Sequence, residues 1–210
     1  MRMVFGRSEM TIKDTLADIG IEIFHAFLHA NPAISTPVLN LYRDKKDTMC
    51  QRISGFATCG YYRNNAIHIG VPLCASMNPM YSWAGYISDR TPYGVIQHEL
   101  GHHVDQVMSG YDVYKKKSVN GNFSDKIMAL SGEKPITSYS PNTMEWFAEI
   151  FRLFVTNPDL LKMIRPKAHQ AILDSGLVPV VEMSANSVLN QFHAPARVFE
   201  RMDKWITTGK

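Results

Sequence analysis

The sequence predicts an α+β domain in which one helix precedes a block of short strands and several helices follow. Apolar residues near the N-terminus recur at three- and four-residue steps, as in an amphipathic helix. Short segments with β-branched or aromatic residues come next, divided by glycine and asparagine, and the helical period returns after residue 92. This order differs from the regular alternation of strands and helices that builds a parallel doubly wound sheet.

Length and composition are typical of one soluble domain with a full hydrophobic core. The chain has 210 residues, of which 45% are hydrophobic and 20% are charged. We expect residues 1–9 to be a flexible leader and residues 10–210 to form a single domain. The net charge of +3 is small and its signs are interspersed, so we expect no nucleic-acid partner.

Three features of the sequence bear on its compartment. No stretch approaches the roughly 20 apolar residues that a membrane span needs, and the N-terminus lacks the pattern of a secretory signal. Three cysteines without a CxxC pair predict no disulfide framework, as in a reducing compartment. We therefore expect no membrane association, and a protein that is cytoplasmic or delivered without a classical signal peptide.

The first helix and the strands are predicted from periodicity and turn residues. A helix over residues 11–30 ends at Asn31-Pro32. Three strands are predicted, over residues 37–43, 53–62 and 66–71. The last two are expected to form a hairpin that turns at Arg63-Asn64-Asn65.

Five helical segments are predicted in the second half of the chain. The first covers residues 93–108, with Gly110 as its stop signal. The others cover residues 124–131, 142–155, 158–176 and 185–206, where Pro158 begins the fourth and Pro195 interrupts the last.

The first helix of the second half contains the string His98-Glu99-Leu100-Gly101-His102. Two histidines four residues apart emerge from one helical face, where both imidazoles can bind one Zn²⁺. Glu99 lies on the flank, where it can reach an attacking water rather than the metal. Gly101 lowers helix stability and therefore indicates close packing beneath the site. The alternative is a chance HExxH string on a solvated helical face.

A third ligand is predicted on the helix over residues 142–155. Glu145 and Glu149 lie four residues apart on a helix that is otherwise apolar, and a buried carboxylate is costly unless it is paired or binds a metal. We expect Glu145 to bind the metal and Glu149 to accept the free N–H of a ligand imidazole. The alternative is a solvent-facing acidic stripe.

Two further residues of the HExxH helix have more than one interpretation. Asp105 follows His102 by three residues on the same face, so it either accepts an imidazole N–H or is a surface residue near the helix end. His103 points about 100° away from His102 around the helix axis. We expect it to be a surface or packing histidine.

Three strings in order carry a resemblance to a known family: His98-Glu99-Leu100-Gly101-His102-His103-Val104-Asp105, Thr137-Ser138-Tyr139, and Glu145-Trp146-Phe147-Ala148-Glu149-Ile150-Phe151-Arg152-Leu153. Together they resemble the catalytic domain of anthrax lethal factor and the bacterial Pro-Pro endopeptidases of the same group. The matching stretch spans about residues 55–160. The resemblance implies a gluzincin-type zincin-like metallopeptidase fold, with a small twisted mixed sheet on the HExxH helix and a mostly helical C-terminal half.

The resemblance also implies roles for individual residues. Zinc would be bound by His98, His102 and Glu145, with Glu99 as the general base and Glu149 behind the ligands. Tyr139 would hydrogen-bond the developing oxyanion. It precedes Glu145 by six residues, where the family pattern has seven.

These residues lead to the hypothesis of a zinc-dependent endopeptidase with a protein or peptide substrate. We expect the substrate to lie along an edge strand, for which residues 66–70 are the candidate. An ordinary half-buried strand is the alternative for that segment. The rival functions are a non-catalytic zinc-containing binding protein with the same fold, and a metal-free helical interaction module.

Overall fold

A computed structural model describes residues 5–44, 58–75, 89–112, 117–118, 122–137 and 142–180. These ranges contain six α-helices and a three-stranded mixed sheet. The predicted α+β class is confirmed. The final helical segment predicted over residues 185–206 lies outside the described residues.

The elements follow one another in the predicted order. The helices are α1 (Phe5–Ala30), α2 (Pro92–Ser109), α3 (Asn122–Ser131), α4 (Thr143–Thr156), α5 (Pro158–Ile164) and α6 (Pro166–Asp174). The strands are β1 (Val38–Tyr42), β2 (Gly60–Arg63), β3 (Ala66–Gly70), β4 (Tyr111–Asp112) and β5 (Lys117–Ser118). A 3₁₀ turn (Val71–Leu73) follows β3.

The main sheet has the order β1-β3-β2, in which β1 is parallel and β2 antiparallel to β3. The predicted hairpin is confirmed. Asn64 and Asn65 have φ angles of 52° and 60°, which fit the two-residue turn that matches the twist of paired strands. The candidate edge strand is wrong, because β3 has a partner on both sides and therefore lies at the centre of the sheet.

Helix α2 lies at the centre of the fold. It packs against α1, α4 and the β2–β3 hairpin, and its side chains Ile96, Leu100 and Val104 are fully buried. Ile67 and Ile69 of β3 are also fully buried, whereas His68 between them is only partly covered. This alternation is the pattern of a strand with one face on the core. The helix that carries His98, Glu99 and His102 therefore lies inside the fold.

Helix boundaries differ from the prediction by more than two residues at two places. Helix α1 begins at Phe5, so it includes residues 5–9 of the expected leader. The single helix predicted over residues 158–176 is two helices, α5 and α6, because Pro166 has no N–H to donate and restricts the residue before it. Arg165 accordingly has φ −142° and ψ 65°, outside the helical region.

Cys59 and Cys74 form a disulfide bond, with their Cα atoms 4.7 Å apart. The sequence predicts no disulfide framework, and this single bond is a feature that it did not anticipate. The cysteines are 15 residues apart and flank the β2–β3 hairpin and the 3₁₀ turn, and only the folded hairpin brings them together.

No helix in the described ranges combines the length and hydrophobicity needed to cross a membrane.

Candidate metal centre

Helix α2 presents His98 and His102 on one face. The helix begins at a Thr91 cap with Pro92 in its first turn, a combination that fixes the helix start. The two imidazole rings lie 4.9 Å apart, almost perpendicular to each other. Both are largely shielded from solvent, with His98 the more buried. Their spacing places two ring nitrogens near one point in front of the helix.

Helix α4 supplies a carboxylate to that point. The Asn142 side chain caps the helix by accepting from the backbone N–H of Glu145, 3.0 Å away, which places Glu145 in the first turn. Glu145 Oε2 lies 3.1 Å from His98 Nε2 and 3.5 Å from His102 Nε2. The three potential ligand atoms all lie within 4.8 Å of one another. The structure therefore brings the predicted ligand set together.

Gly101 explains how α2 and α4 come so close. A Cβ atom at this position would lie 2.9 Å from the Ala148 Cα, a backbone atom that cannot rotate away. It would also lie 3.2 Å from the Phe151 ring. A glycine facing an alanine lets the two helices approach without a side chain between them. The close packing expected beneath the site is confirmed.

Glu149 holds the other nitrogen of the His98 ring. Its Oε1 lies 2.8 Å from His98 Nδ1, one turn after Glu145 on the same face of α4. Glu149 is 1% exposed, so this carboxylate has almost no contact with water. Donation from Nδ1–H to Glu149 fixes the tautomer and leaves Nε2 free to bind a metal. The predicted role of Glu149 behind a ligand imidazole agrees with this contact.

The donor set fits a zinc ion in both chemistry and spacing. Two neutral imidazoles and one carboxylate form a three-ligand set typical of catalytic zinc. Ligand bonds of about 2.0–2.1 Å in a tetrahedral arrangement put neighbouring ligand atoms about 3.4 Å apart. The distances of 3.1 and 3.5 Å between the Glu145 carboxylate and the two imidazoles lie on either side of that value. These residues can therefore hold a metal ion.

Glu99 lies beside the ligands rather than among them. It is buried between α2 and β2, and its Oε1 would be 3.2 Å from a Cβ placed on Gly60. Burial raises the pKa of Glu99, while the neighbouring His98 and His102 lower it in part. A backbone hydrogen bond from Tyr62 of β2 also stabilises the ionised form. Glu99 is thus a carboxylate next to the metal-binding point and supported by a strand.

No family model matches the chain, and neither does any curated protein or solved structure. The assignment of this centre therefore depends on its own geometry.

The metal-free centre is an electrostatically coupled group. Burial lowers the pKa of His98, but hydrogen bonds to Glu145 and Glu149 raise it more, to about 10. Burial raises the pKa of Glu145, whereas hydrogen bonds from His102 and His98 lower it to well below its usual range. Without a metal, a proton on His98 compensates the carboxylates. A divalent cation would take over that role.

Of the two interpretations of Asp105, the surface one is wrong. It is buried rather than on the surface, and its Oδ1 accepts from the backbone N–H of Ser124 at 2.8 Å. It also accepts from the Ser109 hydroxyl at 3.3 Å. Asp105 therefore ties the end of α2 to the first turn of α3, and Glu149 is the acceptor for the His98 imidazole.

His103 is a packing histidine, as the sequence predicts, although it is buried rather than on the surface. Its Nε2 donates to the Ser35 carbonyl at 2.6 Å, and its Nδ1 then accepts from the Tyr62 hydroxyl at 3.1 Å. Burial lowers its pKa, which favours the neutral ring that these two bonds require. His103 thereby attaches β2 to α2 next to the candidate metal centre. Tyr139, the proposed oxyanion donor, lies outside the described residues.

Two residues of the centre were given no role by sequence reasoning. Arg152 is buried and donates to both oxygens of Glu149, from Nε at 3.2 Å and from Nη2 at 3.1 Å. Asp89 is buried nearby and attracts Arg152, while its Oδ1 accepts from the Thr91 backbone and hydroxyl. The role of Arg152 could have been predicted, because an arginine three residues after a glutamate on an apolar helix can pair with it. Nothing in the sequence links Asp89 to α4.

Proposed function

We propose that the chain is a zinc-dependent endopeptidase, with zinc held by His98, His102 and Glu145. The observation that carries the proposal is the convergence of these three ligand atoms within 4.8 Å, with the Glu99 carboxylate beside them. A site that serves structure alone is more often closed by four protein ligands and needs no adjacent base. Three ligands with a neighbouring carboxylate favour a catalytic site. The likeness of the motifs to lethal factor and the Pro-Pro endopeptidases supports the same reaction.

Zinc bound here would polarise a scissile carbonyl and acidify the attacking water. Glu99 accepts the proton of that water on its carboxylate and delivers it to the leaving amine. Its enclosed position between α2 and β2 raises its affinity for a proton, which suits a group that must both take and return one. Glu149 keeps the His98 ring in one tautomer throughout. Tyr139 is proposed to donate to the developing oxyanion.

In the part of the chain that the structure describes, β2 pairs with β3 alone, and its outer edge is the proposed substrate-binding edge. Gly60 of β2 faces α2 so closely that an added Cβ would lie 2.7 Å from a Val95 methyl group. Gly70 N donates to Cys59 O, and because hydrogen-bonded pairs alternate along antiparallel strands, Gly60 and Tyr62 direct their backbone groups away from β3. The Tyr62 N–H bonds Glu99, so the Gly60 backbone and the Tyr62 carbonyl are the groups proposed to pair with a substrate. A peptide in extended form can pair with such an edge through its main chain. This edge lies next to Glu99, so we place the substrate along β2 rather than along β3.

The test compares the zinc-loaded wild type with Glu99→Gln in a peptide-library cleavage assay. Glutamine keeps the shape of the buried side chain and removes its capacity as a base. We expect Glu99→Gln to bind one equivalent of zinc and to cleave at least about 100-fold more slowly. Glu22→Ala, on the exposed side of α1, is the matched control and should cleave like the wild type.

Three results would contradict the proposal, and two of them identify a rival function. A Glu99→Gln variant that cleaves as fast as the wild type contradicts the proposed base. A zinc-loaded wild type that is inert towards the library supports a non-catalytic zinc-containing binding protein. A purified protein without stoichiometric metal supports a metal-free helical interaction module.

A further inference from the structure

Arg152 is a buried arginine whose planar guanidinium faces the carboxylate of Glu149. Its Nε lies 3.2 Å from Glu149 Oε1 and its Nη2 lies 3.1 Å from Glu149 Oε2. Two parallel hydrogen bonds of this kind fix the plane of a carboxylate as well as its position. Arg152 is 2% exposed and Glu149 is 1% exposed, so neither is loosened by water.

One oxygen of Glu149 contacts both Arg152 and His98. Glu149 Oε1 accepts from Arg152 Nε and lies 2.8 Å from His98 Nδ1. The orientation of the carboxylate plane therefore determines the direction in which the His98 ring points. With Nδ1 directed at Glu149, Nε2 faces Glu145 and His102.

We propose that Arg152 is a positioning residue. By holding the Glu149 carboxylate in a fixed plane, it raises the metal affinity of this centre and keeps the fourth coordination position of the metal open. This inference rests on the proposed function, because it concerns the same metal site. Glu145 and Glu149 lie one turn apart, and both are within hydrogen-bond distance of the same imidazole. A Glu149 carboxylate without its clamp can turn towards the metal and take the fourth place. The bidentate contact with Arg152 holds both of its oxygens in a fixed plane behind the ligand.

Asp89 extends the clamp to the start of the HExxH helix. Its charge attracts Arg152, and its Oδ1 accepts from the backbone and hydroxyl of Thr91, which caps α2. Arg152 thus bonds a carboxylate on α4 and is attracted by a carboxylate next to the start of α2. This attraction links the two helices that carry the ligands electrostatically.

The experiment separates positioning from simple structural stabilisation by measuring zinc binding and metal-free stability together. The variants are Arg152→Lys, Glu149→Gln and the double variant Arg152→Met/Glu149→Gln, which removes both buried charges at once. Arg165→Lys is the matched control. Arg165 is also buried, but it donates to the backbone carbonyls of Lys134, Pro135 and Ile164. Zinc Kd is measured by competition with a chromophoric chelator, and stability by urea unfolding of the chelator-treated protein.

We expect Arg152→Lys to weaken zinc binding about tenfold, as loss of support behind a ligand does. Arg165→Lys should lower stability and leave zinc Kd unchanged. If Arg152 acts through Glu149, the double variant binds zinc as Glu149→Gln alone does. The visible absorption of the Co²⁺-loaded protein reports coordination directly, and its bands should shift in Arg152→Lys and stay in place in Arg165→Lys.

A zinc Kd and a Co²⁺ spectrum in Arg152→Lys that match the wild type overturn this inference, whatever happens to stability. A double variant that binds zinc much more weakly than Glu149→Gln also overturns it, because Arg152 then acts by another route. A wild type that binds no zinc overturns the proposed function and this inference with it. The wild-type measurement therefore distinguishes the two failures.

Discussion

Replacing Gly101 by alanine should separate the two helices that carry the metal ligands. The new Cβ would lie 2.9 Å from the Ala148 Cα, whereas carbon atoms in contact prefer about 3.5–4.0 Å. Because that partner is backbone, α4 must move away by roughly 0.6 Å or more. Binding constellations tolerate displacements of only about 0.5 Å. Glu145 on α4 would then no longer reach the point that His98 and His102 share.

The expected effect is large on metal binding and small on folding. Overpacking costs about 1–3 kcal/mol, and the higher helix propensity of alanine returns about 1 kcal/mol, so the net loss of unfolding free energy is about 0–2 kcal/mol. Zinc Kd should rise about 10- to 100-fold, the range typical when support of ligands is disturbed. Isothermal titration with zinc and urea unfolding of the metal-free protein measure the two quantities.

Gly20→Ala is the matched control for this variant. It makes the same change in a helix, and its Cβ would meet the Tyr93 Cα at 3.1 Å and an Ile96 methyl group at 3.0 Å, at the contact of α1 with α2. We expect it to lower stability and to leave zinc Kd within about twofold of wild type, since the approach of α4 is untouched. The reasoning is refuted if Gly101→Ala binds zinc as tightly as the wild type.

Three further predictions follow from individual contacts. Burial raises the pKa of Glu149, but Arg152 and His98 lower it more, to about 2 from an ordinary 4.5. The ionised Glu149 carboxylate therefore stabilises the folded protein above about pH 4.5, and this contribution is lost as pH falls towards 2. Urea unfolding of chelator-treated protein should show a steady decrease over that interval, and a flat profile would contradict it. Asp105→Ala should lower the unfolding free energy by about 1 kcal/mol through loss of the contact with α3 and leave zinc Kd unchanged. A tenfold increase in zinc Kd would instead show that Asp105 supports the metal ligands. Replacing Cys59 and Cys74 by alanine should lower the unfolding free energy by about 3 kcal/mol, the value for a loop of 15 residues, and an unchanged urea midpoint would speak against a stabilising disulfide.

Local signals in the sequence predicted much of the helical half and the ligand set. His98 and His102 share a face because they are one helical turn apart. The start of α4 could be anticipated from Asn142 followed three residues later by Glu145, the arrangement in which Asn142 caps the helix. The two-asparagine turn between β2 and β3 is similarly local. In each case the deciding interaction lies within about four residues.

Most features that the sequence did not predict depend on contacts between distant segments. The central place of β3 follows from its parallel pairing with β1, which its own alternation cannot reveal. The role of Asp105 depends on Ser124 of α3, 19 residues away. The contact between Arg152 and Glu149 is local to α4, but its position behind His98 depends on the packing of α4 against α2. The break at Pro166 was a local signal that the continuous helical period obscured.

The most direct test of the account is a crystal structure of the zinc-loaded protein with anomalous scattering measured at the zinc edge. We expect one strong peak bound by His98 Nε2, His102 Nε2 and a Glu145 oxygen at about 2.0–2.2 Å, with the Glu99 carboxylate next to the remaining coordination place. A zinc ion bound elsewhere, or a Glu145 carboxylate directed away from the two imidazoles, would contradict the account.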